Sequence, residues 1–269
     1  MSSAGGSARC GRDSTVAYAP GVAPGGDASR LLLTAEWRHL AMLHYEIDPE
    51  SLRDLVPRGT ELDGWNGRTL LSVVGFLFRG TRFLGLPVPF HRNFEEVNLR
   101  FYVRRRSAEG WRRAVVFVRE LVPRALIAWT ARRLYNENYS GAPMGHRIET
   151  GNGSGPPSVS YWWTVAGRAG SLSLAAKGAP ADLVEGTEDH FLAEHYWGYA
   201  RQRDGGTIEY RVDHPPWRIW PARSAELRCE AASLYGARFA DALSGPPRSA
   251  FLAEGSTVRV YRGERLEVP

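Results

Sequence analysis

The feature that most limits what this chain can fold into is a run near its middle where polar and apolar residues take turns. Val97, Leu99, Phe101 and Val103 alternate with Glu96, Asn98, Arg100 and Tyr102. Successive side chains of an extended strand point to opposite faces, so the spacing predicts a strand with one apolar and one polar face. In an open sheet such a polar row meets solvent. In a closed sheet with a lined interior it faces a cavity. Both readings stand on sequence alone. Glu95 and Glu96 look like a paired acid, but neighbours on a strand face opposite ways, so only Glu96 joins the row with Asn98 and Arg100.

The flanking segments extend the strand-rich reading. Thr34 to Glu46 reads as a strand with Arg38, Leu40 and Met42 on one face and Trp37, His39, Ala41 and Leu43 on the other. Asp48 is an N-cap, Pro49 a first helical residue, and Pro57 stops that helix. Thr69 to Phe78 is apolar throughout and suits a buried strand. Arginines at 104–106 and 112–113 bracket Ser107 to Gly110, the ends of a hairpin turn. Pro123 opens a helix through Tyr135, with Leu126, Ile127, Ala131 and Leu134 as its apolar stripe. Val159–Val165 and Ser171–Ala175 form a second hairpin. Thr187 caps a helix from Glu188 to about Tyr199. Short strands follow at Thr207–Val212, Trp217–Trp220, Thr257–Tyr261 and Glu264–Val268. Many short strands with a few short helices argue for a β-rich α+β fold built on a mainly antiparallel, closed sheet.

Composition bounds the rest. With 43% hydrophobic residues over 269 positions, the chain can bury a sizeable core. Met1 to Arg30 is Gly, Ala, Ser and Pro-rich and is expected to be a disordered tail ahead of one domain at 31–269. No stretch approaches the ~20 apolar residues of a membrane span, and no signal-peptide core is present. Two cysteines, Cys10 and Cys229, make no disulfide framework, and a cytoplasmic location is expected. The net charge of +5 raises nucleic acid as a partner, but the arginines are spread along the chain among 29 acids, which argues against it. The phosphate-loop, G-x-S-x-G, H-E-x-x-H and paired C-x-x-C motifs are all absent. His190 and Glu194 lie four apart on the expected helix and could face one metal; a third ligand is not in sight, though His195 and His214 are candidates, and neither metal nor cofactor is expected.

Asp48-Pro-Glu-Ser-Leu-Arg-Asp-Leu-Val-Pro57 resembles a segment of acetoacetate decarboxylase, and Arg38, ten residues upstream, stands where that enzyme has an active-site arginine. Phe94-Glu95-Glu96 is similar to its aromatic-x-Glu, which makes Glu96 the matching cavity glutamate. Ala131 to Ser140 resembles the stretch leading into its lysine pair, but Tyr139 and Ser140 occupy those two places. A closer resemblance covers essentially residues 31–267 and is to the YqjF-like family of uncharacterised bacterial proteins, domain of unknown function 2071. Its segments are Phe94 to Tyr102, Ala131 to Met144, Phe191 to Tyr199 with His214-Pro-Pro-Trp217, and Ser249 to Tyr261. The resemblance implies a barrel of acetoacetate decarboxylase type.

A Schiff base needs a primary amine, and the chain's one lysine, Lys177, sits in an apparent turn far from the matching position. The set the resemblance leaves is Glu96 and Tyr139 as acid–base groups, with Arg38, Asn98, Arg100 and His214 as substrate-binding residues. It implies a small-molecule pocket for a keto acid or other carbonyl or carboxylate compound, with lyase- or isomerase-type chemistry. A non-catalytic ligand sensor and an interaction protein with a filled barrel are the alternatives, and monomer and homo-oligomer are equally open.

Overall fold

The computed structural model describes residues 30–88, 92–123, 139–150 and 155–267. The expected N-terminal tail up to residue 29, and the expected helix beyond Pro123, lie outside the described residues. Among these residues no helix is long and apolar enough to cross a membrane.

The alternating run lies in strand β5 (Phe94–Ser107), which turns at Ser107 to Gly110 into β6 (Gly110–Val122). The turn is held by the Ser107 hydroxyl, which donates to the Gly110 carbonyl at 2.8 Å. On its other edge β5 pairs with β3 (Leu70–Phe83), β3 with β1 (Leu31–Glu46), and β1 with β15 (Ser249–Tyr261), all antiparallel. Beyond β6 lies β12 (Trp197–Arg201), parallel to it, and then β13 (Thr207–Asp213), which also pairs with β15. The hydrogen-bonded neighbours therefore return on themselves through seven strands. The sheet is mixed, because β7 (Tyr139–Gly141) also runs parallel to β6.

A branch leaves the circuit at β15 through β14 (Arg218–Arg228), then β10 (Arg168–Ala176), β9 (Ser158–Val165) and β8 (Met144–Glu149). The β9–β10 hairpin agrees with the sequence reading. Asp48 caps a 3-10 helix, Pro49–Leu55, by accepting from the Glu50 amide.

Three expectations are corrected. The helix capped by Thr187 is only α1 (Glu188–Ala193), and Trp197 onward is strand. The chain leaves the helix at Glu194, whose ψ is 86°. In the strand that follows, Gly198 lies against Tyr210 of β13, where a Cβ would stand 2.2 Å from the ring. Two short helices, α2 (Ala231–Tyr235) and α3 (Ala240–Ser244), stand between the expected strands at Trp217–Trp220 and Thr257–Tyr261, where no element was expected. The alternation of β1 also breaks at His39, which adopts φ 57°, and β1 carries an extra residue relative to β3 between Arg38 and Ala41. Such a bulge inverts the faces downstream. Trp37 therefore shares a face with Leu40 and Met42, and Arg38 with Ala41 and Leu43. Beside the bulge, Gly255 of β15 has φ 79°, and a Cβ there would lie 2.0 Å from the Trp37 carbonyl oxygen. Only glycine fits.

The circuit has two apolar faces. One carries Trp37, Phe76, Phe78 and Tyr102, covered by Phe191 of α1 and by Trp217. The other carries Leu43, Val73, Leu99 and Phe101 and packs with Tyr161 and Trp163 of β9 and with Leu234 and Phe239 of the α2–α3 region. Gly75 leaves room for the Tyr161 ring, which a Cβ would approach to 2.7 Å.

Candidate functional site

The polar row of β5 is buried. Glu96, Asn98 and Arg100 expose 3%, 2% and 8% of their surface, and Tyr102 none. Burying such groups is costly unless they are hydrogen-bonded, so their partners define the site. The Asn98 amide donates to Glu96 Oε1 at 2.9 Å and holds that carboxylate, while Asn98 Oδ1 has no hydrogen-bond partner. Cross-strand register adds two groups. Glu120, 1% exposed, stands opposite Asn98 on β6, and Tyr139 stands opposite Glu120 on β7. Ser140, next along β7, turns to the reverse face, where Arg119 Nε donates to its hydroxyl at 3.3 Å. Tyr139 therefore shares a face with Glu120, Asn98 and Glu96. It is half-buried, so this end of the row is the less enclosed one.

The other end is wholly enclosed. Across β5, β3 and β1, Tyr102, Ser72 and His44 form a chain. The Tyr102 and Ser72 hydroxyls share a short hydrogen bond, and Ser72 Oγ lies 2.7 Å from His44 Nδ1. Burial, with the nearby Arg100 charge, pulls the His44 imidazole down to about 3, so it is neutral. Arg100 donates through Nη2 to the Leu192 carbonyl at 3.3 Å. His195 lies against the Tyr102 ring, centroids 4.8 Å apart, with Nε2 3.4 Å from Arg113 Nη2. Burial first, then Arg113 and Arg100, hold its imidazole well below the usual range. Arg113 itself is neutralised by Asp63 at 2.9 Å.

His214 is stacked between Trp217 and Tyr196, at 4.2 and 4.8 Å, with Nδ1 3.0 Å from the Pro215 carbonyl. Burial lowers its pKa, and the Arg100 charge acts on it in the same sense. The structure thus brings four residues of the predicted set, Glu96, Asn98, Arg100 and Tyr139, onto one face, with His214 within electrostatic reach of Arg100. Sequence reasoning missed Glu120, His44 and Ser72, and weighed His195 only as a metal ligand. Only Tyr102 was visible as part of the alternating row.

Arg38 stands elsewhere. Its cross-strand neighbour is Leu77, whose own neighbour is Glu95. It therefore lies on the face opposite Glu96, where it binds Glu36 at 3.2 Å and the Gly255 carbonyl at 3.3 Å. On that face Glu95 meets His146 Nδ1 at 2.5 Å, and the Tyr161 hydroxyl donates to the His39 carbonyl at 2.8 Å. The row and Arg38 do not converge, because β1 turns its arginine outward before the bulge. Glu194 of the weighed metal pair instead takes the Tyr196 hydroxyl. Lys177 is exposed, just beyond β10.

The model of a family described as an uncharacterized conserved protein, DUF2071, matches residues 34–257. Uncharacterized protein YqjF of Bacillus subtilis (strain 168) is 28% identical over 194 residues, covering 72% of this chain and 77% of YqjF. Among solved structures, an acetoacetate decarboxylase-like enzyme from Sphingomonas wittichii RW1 superposes with a TM-score of 0.62 at 13% identity, over 88% of this chain and 94% of that one. The enduracididine biosynthesis enzyme MppR complexed with pyruvate gives 0.63 at 15% identity, over 94% and 98%. At such identities the shared property is the fold.

Proposed function

We propose that this chain, which belongs to the DUF2071 family of uncharacterised conserved proteins, closes its seven-strand circuit into a barrel and acts inside it on a small keto acid or related carbonyl compound. The reaction class is acid–base, lyase- or isomerase-type, without a Schiff base. One observation carries the reading. Glu96, Asn98, Glu120 and Tyr139 are gathered on one largely buried face, while the chain's single lysine is exposed. An imine intermediate has no side-chain amine there.

In this reading Glu96 is the base, oriented by the Asn98 amide. It takes a proton from the carbon next to the carbonyl, the C–H electrons form the new C=C bond, and the carbonyl oxygen receives a proton from the Tyr139 hydroxyl. Asn98 and Arg100 bind the substrate, and His214 supports the Arg100 end. Arg38 leaves the set, because register puts it on the other face. The pyruvate complex of MppR supports the substrate class as a likeness of fold.

The test is solvent deuterium exchange into a panel of keto acids of three to eight carbons, followed by mass spectrometry. Wild type should exchange the α-hydrogens of at least one member. Glu96→Gln should slow that exchange at least a hundredfold, the scale of one general base, without loss of thermal stability. Saturable binding with no exchange in any member would replace this reading with a ligand-binding module.

A further inference from the structure

The hairpin that joins β3 to β4 (Leu86–Pro87) turns on two residues, Leu84 and Gly85, with φ of 49° and 78°. Positive φ at both places makes a type I′ turn, whose first central position favours asparagine, aspartate or glycine. A bulky side chain there is an outlier. Nothing covers it, either. Leu84 exposes 57% of its surface and Leu86 72%, two of the four large apolar side chains left exposed among the described residues. The tip is nevertheless firmly held. The Leu84 amide donates to the Leu32 carbonyl at 2.8 Å, and the Thr81 amide to that of Arg92 at 2.9 Å. A turn that accepts a poor turn residue and holds it in water has a use for that side chain.

Charge indicates what covers the tip. From Gly64 to Phe94 the sequence holds four arginines and no acid, against 29 acids in the whole chain. Arg79, Arg82 and Arg92 flank the tip, are exposed, and make no ion pair among the described residues. The acids on the adjoining strands are already engaged, Glu36 by Arg38 and Glu95 by His146. Exposed leucines ringed by unpaired arginines match a surface that is anionic outside and apolar beneath.

We propose that the β3–β4 hairpin docks this protein on an anionic lipid bilayer, with Leu84 and Leu86 entering the interface and Arg79, Arg82 and Arg92 meeting the headgroup phosphates. Such docking is peripheral and needs no spanning segment. A protein partner fits less well. A stable protein interface takes about 800 Å² from each side, more than a two-residue tip offers, whereas a bilayer admits a leucine without a matching pocket. The hairpin continues β3 and β5 past the Glu96 end of the polar row, the less enclosed one. A docked protein therefore turns that end towards the lipid. The inference stands independently of the reaction proposed at Glu96.

Co-sedimentation of the full-length chain with vesicles tests this. The protein should bind vesicles of equal parts phosphatidylcholine and phosphatidylglycerol, not phosphatidylcholine alone, and salt should weaken the binding. Leu84→Asn gives the turn the asparagine–glycine pair it prefers, so its urea midpoint should rise. Its vesicle binding should nevertheless weaken about tenfold, the scale of one buried leucine. Leu86→Ser should cost about as much again, and Arg79→Gln about fivefold. Val184→Ser, at a comparably exposed apolar residue elsewhere, should bind as wild type does. No binding to the anionic vesicles, equal binding to both kinds, or Leu84→Asn binding as wild type does would each overturn the proposal. A dimer in lipid-free sedimentation that Leu84→Asn dissociates, without vesicle binding, would assign the tip to a second copy of the chain instead.

Discussion

Two neutral imidazoles in the core make this protein acid-labile in a calculable way. His44 is wholly buried and its folded-state pKa is pulled down to about 3, against 6.5 when exposed. Above pH 6.5 neither state binds the proton and the group is silent. As pH falls below 6.5 the unfolded chain takes up a proton that the folded protein refuses, so stability is lost progressively down to about pH 3. At pH 5 the gap is 1.5 pH units, and at 1.36 kcal/mol per unit the loss is about 2 kcal/mol. His195 adds in the same direction, since burial and two arginines also depress it. Asp189, raised by its burial and by Glu188, acts in the opposite sense, but only as the carboxylate range is approached. Urea unfolding followed by the emission of the nine tryptophans measures the sum. With an m-value of about 3 kcal/mol/M, His44 alone lowers the midpoint by about 0.7 M between pH 7.5 and 5.0. His195→Phe should shrink that drop. An unchanged midpoint at pH 5.0 would refute the reasoning, because it requires His44 to protonate freely inside the fold.

Further outcomes follow from single contacts. Ser72→Ala strands both the Tyr102 hydroxyl and His44 Nδ1, and should cost about 2–4 kcal/mol in urea unfolding, more than Tyr102→Phe, which leaves the Ser72–His44 bond intact. Gly255→Ala places a methyl against the Trp37 carbonyl in a backbone region that disfavours side chains. The loss should exceed 3 kcal/mol, seen as a melting temperature lowered by more than about 6 °C, whereas Gly245→Ala, with open space around it, should change little.

How much of this was legible depended on whether an element obeys a period. The β5 row, the hairpin at Ser107 to Gly110 and the β9–β10 pair follow strict alternation or turn chemistry, and these are the parts read well. His44 and Ser72 were invisible because each is a lone polar residue in an apolar run. Only the pairing of β1 with β3 and β3 with β5 sets them beside Tyr102. Glu120 was hidden for the same reason, since β6 bulges between Leu99 and Arg100 of its partner and no period carries across the slip. The helix expected to reach Tyr199 failed because an acidic first turn and a Thr cap specify where a helix starts and not where it stops, and the chain leaves it at Glu194, whose ψ is 86°. Arg38 was misplaced in orientation, since one residue in an unusual conformation outweighs the alternation on both sides of it.

That residue works as a phase shifter. Keep every residue but lay His39 in ordinary extended backbone, so that the bulge is lost, and the upstream half of β1 would rotate by half a period. Trp37 would swing out and Arg38 would swing in to meet Phe76 and Glu96. The backbone conformation of one residue thus decides which face of the sheet carries the arginine. Within this fold, two chains can align letter for letter at an arginine and still present it to different chambers.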